Sequence, residues 1–542
     1  MITTAVQGKN ASRPSLLFVL AFAAALAVGL AFCIAKSGYF VDEIYSYGLS
    51  NSYYSPFLKS AYDDDITGKV IERDALLEYV QVDEGQQFAF DSVFYNQSQD
   101  VHPPLYYCVV HAVSSFLPGV FSKWIGLAIN LVFFGLTLFF LYRLSRELLE
   151  DEAAAVMAML AYGMSQACLS TLVLIRMYML MSLLTVLLAY VVLRLHRSEK
   201  PAWYVALFAV AYCGMLTQYL FAFYLALLAA AYVAYLVLRK KQLRRAGVFA
   251  AVVVVAGLAM LATFPAVFEQ MTNVTDRFAP VEATPSLAYL VVVAFKYLAS
   301  SCFVMCATSL VLAVCVVWRT VRGRVAAREA LRVDPLAWII VLPAFAAYFL
   351  VRTVWGYHDE RYTFSVIPLM AVLVGMLVTW ARGLGAFERS RALAPLCCAL
   401  VALASLGMSV AVMPPNYMMP QDPERTAFAQ EHASDPVLYF VSTYRDAAMT
   451  NDYEQLVEYG SICTVNADGP YDESLSLVSD YLARYPEGSP VVVYIQTYAT
   501  SPDPSVMLDW LSSSLGLEVS SLAYESDLSE TYVLESNRGG NR

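Results

Sequence analysis

The sequence predicts a polytopic α-helical membrane protein of about eleven spanning helices with a C-terminal α/β domain. Three observations carry this. The chain of 542 residues is 59% hydrophobic and only 15% charged, with a mean hydropathy of +0.55; a soluble domain could not stay dispersed with that surface chemistry. Lys and Arg concentrate in short loops between apolar runs: Arg143 and Arg146, Arg194 to Lys200, Arg239 to Arg245, Arg319 to Arg332, Arg382 to Arg391. From Pro414 the character changes, and residues 414–542 hold 20 of the 45 Asp and Glu but only 5 of the 35 Lys and Arg. The formal net charge of −10, with the bases confined to loops, points away from nucleic acid.

The first apolar run, Leu16 to Ile34, follows Lys9 and Arg13 and imitates a signal peptide. It is long enough to span and no small-x-small cleavage site follows it, so it reads as an uncleaved first helix. Further runs lie at about 122–142, 152–170, 172–195, 202–218, 220–238, 246–268, 298–318, 336–353, 362–381 and 392–413. Placing every basic loop in the cytoplasm makes each of these a span. It also requires that Leu105 to Pro118, a 14-residue run containing His111, lie on the surface instead of crossing. This topology puts a long loop, 37–121, outside, together with Arg176, Gln218, the 269–287 segment, the Trp355 to Tyr362 loop and the tail.

The chain thus divides into a membrane part, 1–413, and a tail, 414–542. In the tail, Val437 to Val441, Ile462 to Val465, Val491 to Ile495, Leu517 to Leu522 and Tyr532 to Leu534 read as strands, and 446–459, 472–484 and 505–515 as helices. No Gly-rich phosphate loop and no nucleophile–base pair appears there, which suits a scaffold or acceptor-docking role. Nine of the ten cysteines sit in or beside apolar runs and Cys463 stands alone in the tail, so they read as small apolar filler, without metal-ligand spacing.

The chemistry gathers at the ends of helices on one predicted face. Asp42 and Glu43 follow the first helix; Asp100 and His102 precede Pro103-Pro104-Leu105-Tyr106-Tyr107, where two prolines let a helix start but not run through. A carboxylate at the bilayer boundary would be partly desolvated and more basic, fit to act as a general base; the plain alternative is a solvated loop acid or a helix cap. Asp100 could take a sugar hydroxyl or a divalent cation and His102 a phosphate, or both could cap the surface helix. His111 reads as a hydrogen-bonded structural histidine. Asp63-Asp64-Asp65 reads as a solvated turn. Arg176 and Arg361 stand in apolar surroundings where a guanidinium is costly unless paired, and each suits bidentate contact with phosphate. The alternatives are an ion pair of Arg176 with Asp42, and of Arg361 with Asp359 or Glu360, beside His358. Lys296 is a weaker third cation. Asn273-Val274-Thr275 is a glycosylation tripeptide of a kind frequent by chance.

Five segments in order resemble the GT-C superfamily of membrane glycosyltransferases, in particular the protein O-mannosyltransferases and the bacterial lipid-sugar transferases similar to them. They are the Asp42-Glu43 pair, His102-Pro103-Pro104-Leu105-Tyr106-Tyr107, Arg176-Met177-Tyr178, Thr217-Gln218-Tyr219 and Arg361-Tyr362 ahead of Pro368. The resemblance spans about 15–380 and departs at Gln218, where many relatives carry His. It implies an inverting hexosyl- or pentosyltransferase of the bacterial cell envelope. The donor would be a polyprenyl-phosphate sugar and the acceptor a hydroxyl of an envelope glycan, glycolipid or protein. Asp42 would be the base with Glu43 secondary, and Asp100, His102, Arg176, Tyr178, Gln218, Arg361 and Tyr362 would bind substrate. No resident metal is assigned. The competing classes are a lipid-sugar flippase or transporter, which would line its spans with ionisable groups, and an envelope polymerase or ligase that moves whole oligosaccharides.

Overall fold

The computed structural model describes residues 15–277, 286–322, 333–354, 359–384, 393–419, 423–442, 447–497, 502–526 and 528–536. His358 lies outside the described residues, as do parts of the basic loops after Arg322 and Leu384 and the side chains of the Asn273 tripeptide.

Among the described residues, nine helices are long and apolar enough to cross a membrane. The two other spans expected from sequence take different forms. One is a pair of helices bent by 57°, Glu152–Gly163 and Gln166–Val173; the other is Pro201–Thr217, 17 residues long. The break is made at Met164-Ser165, where Ser165 Oγ caps the second helix by accepting Cys168 N–H at 3.2 Å. The expected boundary between 170 and 172 is therefore corrected. The apolar run continues to Val173, and a four-residue irregular link precedes Tyr178–Arg197, the most buried of the spans. On the outer helices, large side chains such as Val254, Leu258, Val314 and Val321 stay more than half exposed, as lipid-facing residues do.

The first helix, α1 (Leu16–Ala35), begins on Ser15, whose Oγ accepts Phe18 N–H at 3.2 Å. It ends at Lys36, which is completely buried. The long loop then builds α2 (Val41–Asn51), a 3-10 turn (Leu58–Tyr62), strand β1 (Val70–Glu72), α3 (Arg73–Val80), α4 (Phe90–Gln99) and α5 (Leu105–Ser114). At ten residues α5 is too short to cross a bilayer. His111 is buried in it, and its ring lies edge-on 5.7 Å from Phe90. A backbone hydrogen bond with Ser50 holds the ring, in keeping with the structural histidine expected. Burial pushes its pKa down, which keeps the ring neutral. Asp63 to Asp65 form an exposed turn, with Asp63 and Asp64 in the left-handed region.

The tail folds on a six-stranded sheet in the order β1-β3-β2-β4-β6-β5. Its strands are β2 (Val437–Val441), β3 (Ser461–Asn466), β4 (Val491–Gln496), β5 (Leu517–Glu525) and β6 (Ser529–Ser536). The parallel strands β3, β2 and β4 form the middle, and all residues of β2 and β4 are buried. That explains their unbroken apolar sequence. Five strands were legible in the tail; the sixth, β1, comes from the early loop and pairs antiparallel with β3. Further bonds join the loop to the tail. Gly38 N–H donates to Met419 O at 3.1 Å, Tyr39 N–H to Glu454 Oε2 at 3.0 Å, and Arg73 Nε–H to Val457 O at 2.5 Å.

Candidate active site

Three chain breaks meet at the start of α2. The first is the turn after α1, held because half-buried Lys123 at the head of Lys123–Leu149 donates to the carbonyls of Lys36 and Ser37. The second is the link 174–177. The Leu172 carbonyl just before it and its own Leu174 carbonyl are taken by Asn130 Nδ2 at 3.0 and 2.7 Å, and its Ile175 N–H by Glu43 Oε1 at 2.7 Å. A Cβ on Gly126 would stand 2.1 Å from Ile175 Cγ2, so a glycine is needed for the link to lie this close. The third is the 3-10 turn Glu360–Val366, capped by Asp359, whose Oδ1 accepts Arg361 N–H at 3.0 Å.

These breaks aim Asp42, Arg176 and Arg361 at one point. Asp42 Oδ2 is ion-paired to Arg361 Nη1 and lies 3.6 Å from Arg176 Nη2. Arg361 Nε also lies 2.9 Å from Asp359 Oδ2, and Tyr417 OH donates to Asp359 Oδ1 at 3.1 Å. Arg176 Nη1 donates to Tyr107 OH at 3.2 Å, while its buried Nε has no hydrogen-bond partner among the described residues. Asp100 Oδ2 and His102 Nδ1 are 2.8 Å apart and act electrostatically on Arg176 and Asp42. The Arg361 guanidinium lies 5.5 Å from the Tyr362 ring and 5.7 Å from that of Phe40. Tyr178 meets Tyr362 edge-on at 6.2 Å. Seven of the nine residues singled out in the sequence are thus together: Asp42, Asp100, His102, Arg176, Tyr178, Arg361 and Tyr362.

Glu43 is not among them. Glu43 turns to Lys36 instead of the arginines and is wholly buried; Oε2 accepts Phe40 N–H at 2.7 Å and pairs with Lys36 Nζ at 3.0 Å. Burial pushes its carboxyl up, against the pull of Lys36 and two N–H donors. Gln218 is buried at the end of Pro201–Thr217, beside Tyr219, on which Asp100 acts electrostatically; among the described residues its side chain makes no hydrogen bond to the group. Its neighbour Tyr219 donates to Gln270, which donates to Gln97 O at 2.7 Å and so braces α4. Lys296 is exposed on Leu287–Ser301.

The electrostatics correct one expectation. Burial does push the Asp42 carboxyl up, but Arg176, Arg361 and His102 outweigh it and hold it below the usual carboxylate range. Asp100 is likewise held low: His102 and Arg176 overcome its burial. The sequence reading weighed desolvation without the paired guanidiniums, and for Arg176 the ion pair with Asp42 is the one formed. Sequence reasoning missed Lys36, Tyr107, Asn130 and Tyr417. Lys36 had a signal, as the first charge after an apolar run, but it looks like any flanking lysine. Tyr417 had none. Among the described residues, no group of three or more His, Cys, Asp and Glu could hold a metal ion.

The family model for dolichyl-phosphate-mannose-protein mannosyltransferase matches residues 101–268. This stretch contains His102, Arg176, Tyr178 and Gln218 but neither Asp42 nor Arg361. No curated protein matches the chain in sequence. In structure the chain is similar to ArnT of Cupriavidus metallidurans bound to undecaprenyl phosphate, with a TM-score of 0.51 at 13% identity, covering 97% of this chain and 99% of that one. It is equally similar to ArnT from the same organism in the apo state, with a TM-score of 0.50 at 14% identity over 95% and 97% of the two chains. The chain thus shares the fold of ArnT along nearly its whole length, and within it residues 101–268 match the mannosyltransferase family model.

Proposed function

We propose that the protein transfers a sugar from a polyprenyl-phosphate donor to an acceptor hydroxyl on the outer face of the membrane, with inversion at the anomeric carbon. The single observation that carries the reading is the Asp42 carboxylate set between two largely buried guanidiniums. Two arginines converging where a span meets the surface form a phosphate grip. The undecaprenyl phosphate of the structurally similar ArnT supports a lipid phosphate as what they hold.

In this reading Asp42 occupies the grip until the donor arrives. The donor phosphate then takes over Arg176 and Arg361 as its partners. Freed from both positive charges but still largely buried, Asp42 becomes more basic. It accepts the proton of the acceptor hydroxyl while that oxygen bonds to the anomeric carbon and the bond from that carbon to phosphate oxygen breaks. Polyprenyl phosphate leaves as a stabilised anion, so no separate general acid is needed. Asp100 and His102 border the donor side, and Tyr178 and Tyr362 wall the guanidinium of Arg361. Glu43 acts by position: it fixes the link that carries Arg176. Residues 1–413 form the catalytic membrane part and 414–542 an outer domain stitched to its loop. The reaction takes place in a bacterial cell envelope. Mass spectrometry of lipid-linked sugars and envelope glycans, with and without the gene, tests it: a donor lipid that accumulates and a glycan that loses one sugar are expected, and unchanged profiles of both would end the reading.

A further inference from the structure

A cavity of about 400 Å³ opens at the far end of α2 from Asp42. That volume suits a small-molecule site. Tyr53, Tyr54, Ser60, Glu78, Asp83 and Gln86 line it. Tyr53 and Tyr54 are 54% and 41% exposed, their rings 4.8 Å apart and nearly perpendicular, and Tyr54 lies 5.3 Å from the exposed ring of Tyr95. Such a cluster of exposed aromatic rings beside a polar cavity marks an interaction site.

The rim is built. Tyr54 holds φ at +51°, which a bulky side chain seldom adopts. It is fixed from α4 at both ends: its N–H donates to Ser92 Oγ at 2.8 Å and its OH to Asp91 Oδ2 at 2.6 Å. Ser92 Oγ and Asn96 Nδ2 in turn donate to Ser52 O at 3.1 and 2.8 Å. The floor is Tyr79, buried against α2 where a Cβ on Gly48 would stand 2.1 Å from its ring. The cavity and the helix carrying Asp42 are therefore one packed unit.

The chemistry of the lining selects a class of ligand. Tyrosine faces take the apolar face of a sugar ring, while carboxylates and an amide take its hydroxyls. Among the described residues no Lys or Arg lines the cavity, and Asp64 Oδ1 accepts Ser60 Oγ–H at 3.3 Å beside it. That field repels phosphorylated or carboxylated ligands. Ser52, which caps α2, is ten residues beyond Asp42, about 15 Å at 1.5 Å per residue, a length that a few linked sugar rings cover. Tyr45, whose ring meets Phe57 edge-on at 6.3 Å, lies between the two.

We infer that this cavity docks the acceptor, a saccharide that is uncharged or carries an amino group, with its reacting end directed along α2 toward Asp42. This rests on the transferase reading, and the test separates the two. Purified full-length protein in nanodiscs is mixed with mannotriose, chitotriose or the glucosamine trimer, and saturation-transfer NMR reads binding, with mannose 6-phosphate as the anionic control. At least one trimer is expected to bind and the control not to. Tyr53→Ala and Glu78→Gln, both exposed positions, should each weaken that binding tenfold or more while undecaprenyl phosphate binding stays unchanged. If a lipid-anchored version of the same trimer binds tenfold tighter, the acceptor is a glycolipid; equal affinity makes it a free glycan chain, and either outcome supports the cavity. Binding of no trimer, binding that both variants leave intact, or equal binding of the phosphosugar would overturn the inference. Failure of the wild-type protein to bind undecaprenyl phosphate would instead count against the transferase reading.

Discussion

Glu43 and Ile175 are joined by a hydrogen bond of 2.7 Å from the Ile175 N–H to Glu43 Oε1, across 132 positions of chain. Through it the residue beside Asp42 holds the link that carries Arg176. The same carboxylate pairs with Lys36 at 3.0 Å, both groups being fully buried. Removing one member of such a pair leaves the other charge uncompensated, which costs about 3–5 kcal/mol. Glu43→Gln should therefore lower the melting temperature in detergent, and adding Lys36→Met should restore part of the loss. A Glu43→Gln protein that melts like the wild type would show that the pair carries no structural weight.

The position of Asp42 between two arginines gives a pH signature. A carboxyl held below its ordinary value stays ionised until pH falls through that lowered value, and only then does the Asp42–arginine pairing lose its stabilising effect. The profile of kcat/KM, which reports the free enzyme, should have its acid limb below the usual carboxylate range. If the donor phosphate takes the arginines, the limb in kcat moves to higher pH. Coincident limbs would mean that the donor does not displace Asp42.

Arg176 donates through Nη1 to Tyr107 and faces Asp42 through Nη2. A lysine keeps the charge but not the fork. Arg176→Lys should weaken donor binding about tenfold or more, equivalent to about 1.4 kcal/mol, with expression unchanged. Unaltered donor affinity would make Arg176 a structural cation.

How much of this could be read from the chain follows from what each signal encodes. The apolar runs and basic loops gave the membrane class because they report transfer energies, which are local. The strands β2 and β4 were legible because burial on both faces demands continuous apolar sequence. The three-residue β1 was not, since Val70–Glu72 is a strand only by pairing with β3, some 390 residues on. In the site, Asp42, Arg176 and Arg361 stood out as charges beside apolar runs. Their mutual distances did not, and so the direction of the Asp42 shift was misread. Glu43 looked like a twin of Asp42; only the helical turn of α2 sends one side chain to the two arginines and the other to Lys36.

Orientation is testable by labelling, in a background where the ten native cysteines are replaced. The basic residues flanking Gln242 predict a cytoplasmic turn there. Cysteines introduced at exposed Glu84 and exposed Val506 should react with an impermeant maleimide from outside, and one at Gln242 only after permeabilisation. Outside labelling at Gln242 would reverse the topology.

The decisive variant is Asp42→Asn. It preserves size and leaves an oxygen to face the arginines, but it removes the proton acceptor. A general base contributes about 10²–10⁴-fold, so the variant should transfer sugar at least about a hundredfold more slowly. Donor binding should be retained or strengthened, because the amide no longer competes with phosphate for Arg176 and Arg361. That combination separates a base from a mere anchor: loss of an anchor would weaken donor binding or folding along with turnover. Single-turnover transfer and donor affinity, measured on the same nanodisc sample, distinguish these outcomes. If Asp42→Asn keeps near wild-type turnover, Asp42 only neutralises the arginines at rest, and Asp100, paired with His102 at 2.8 Å, becomes the carboxylate to test next.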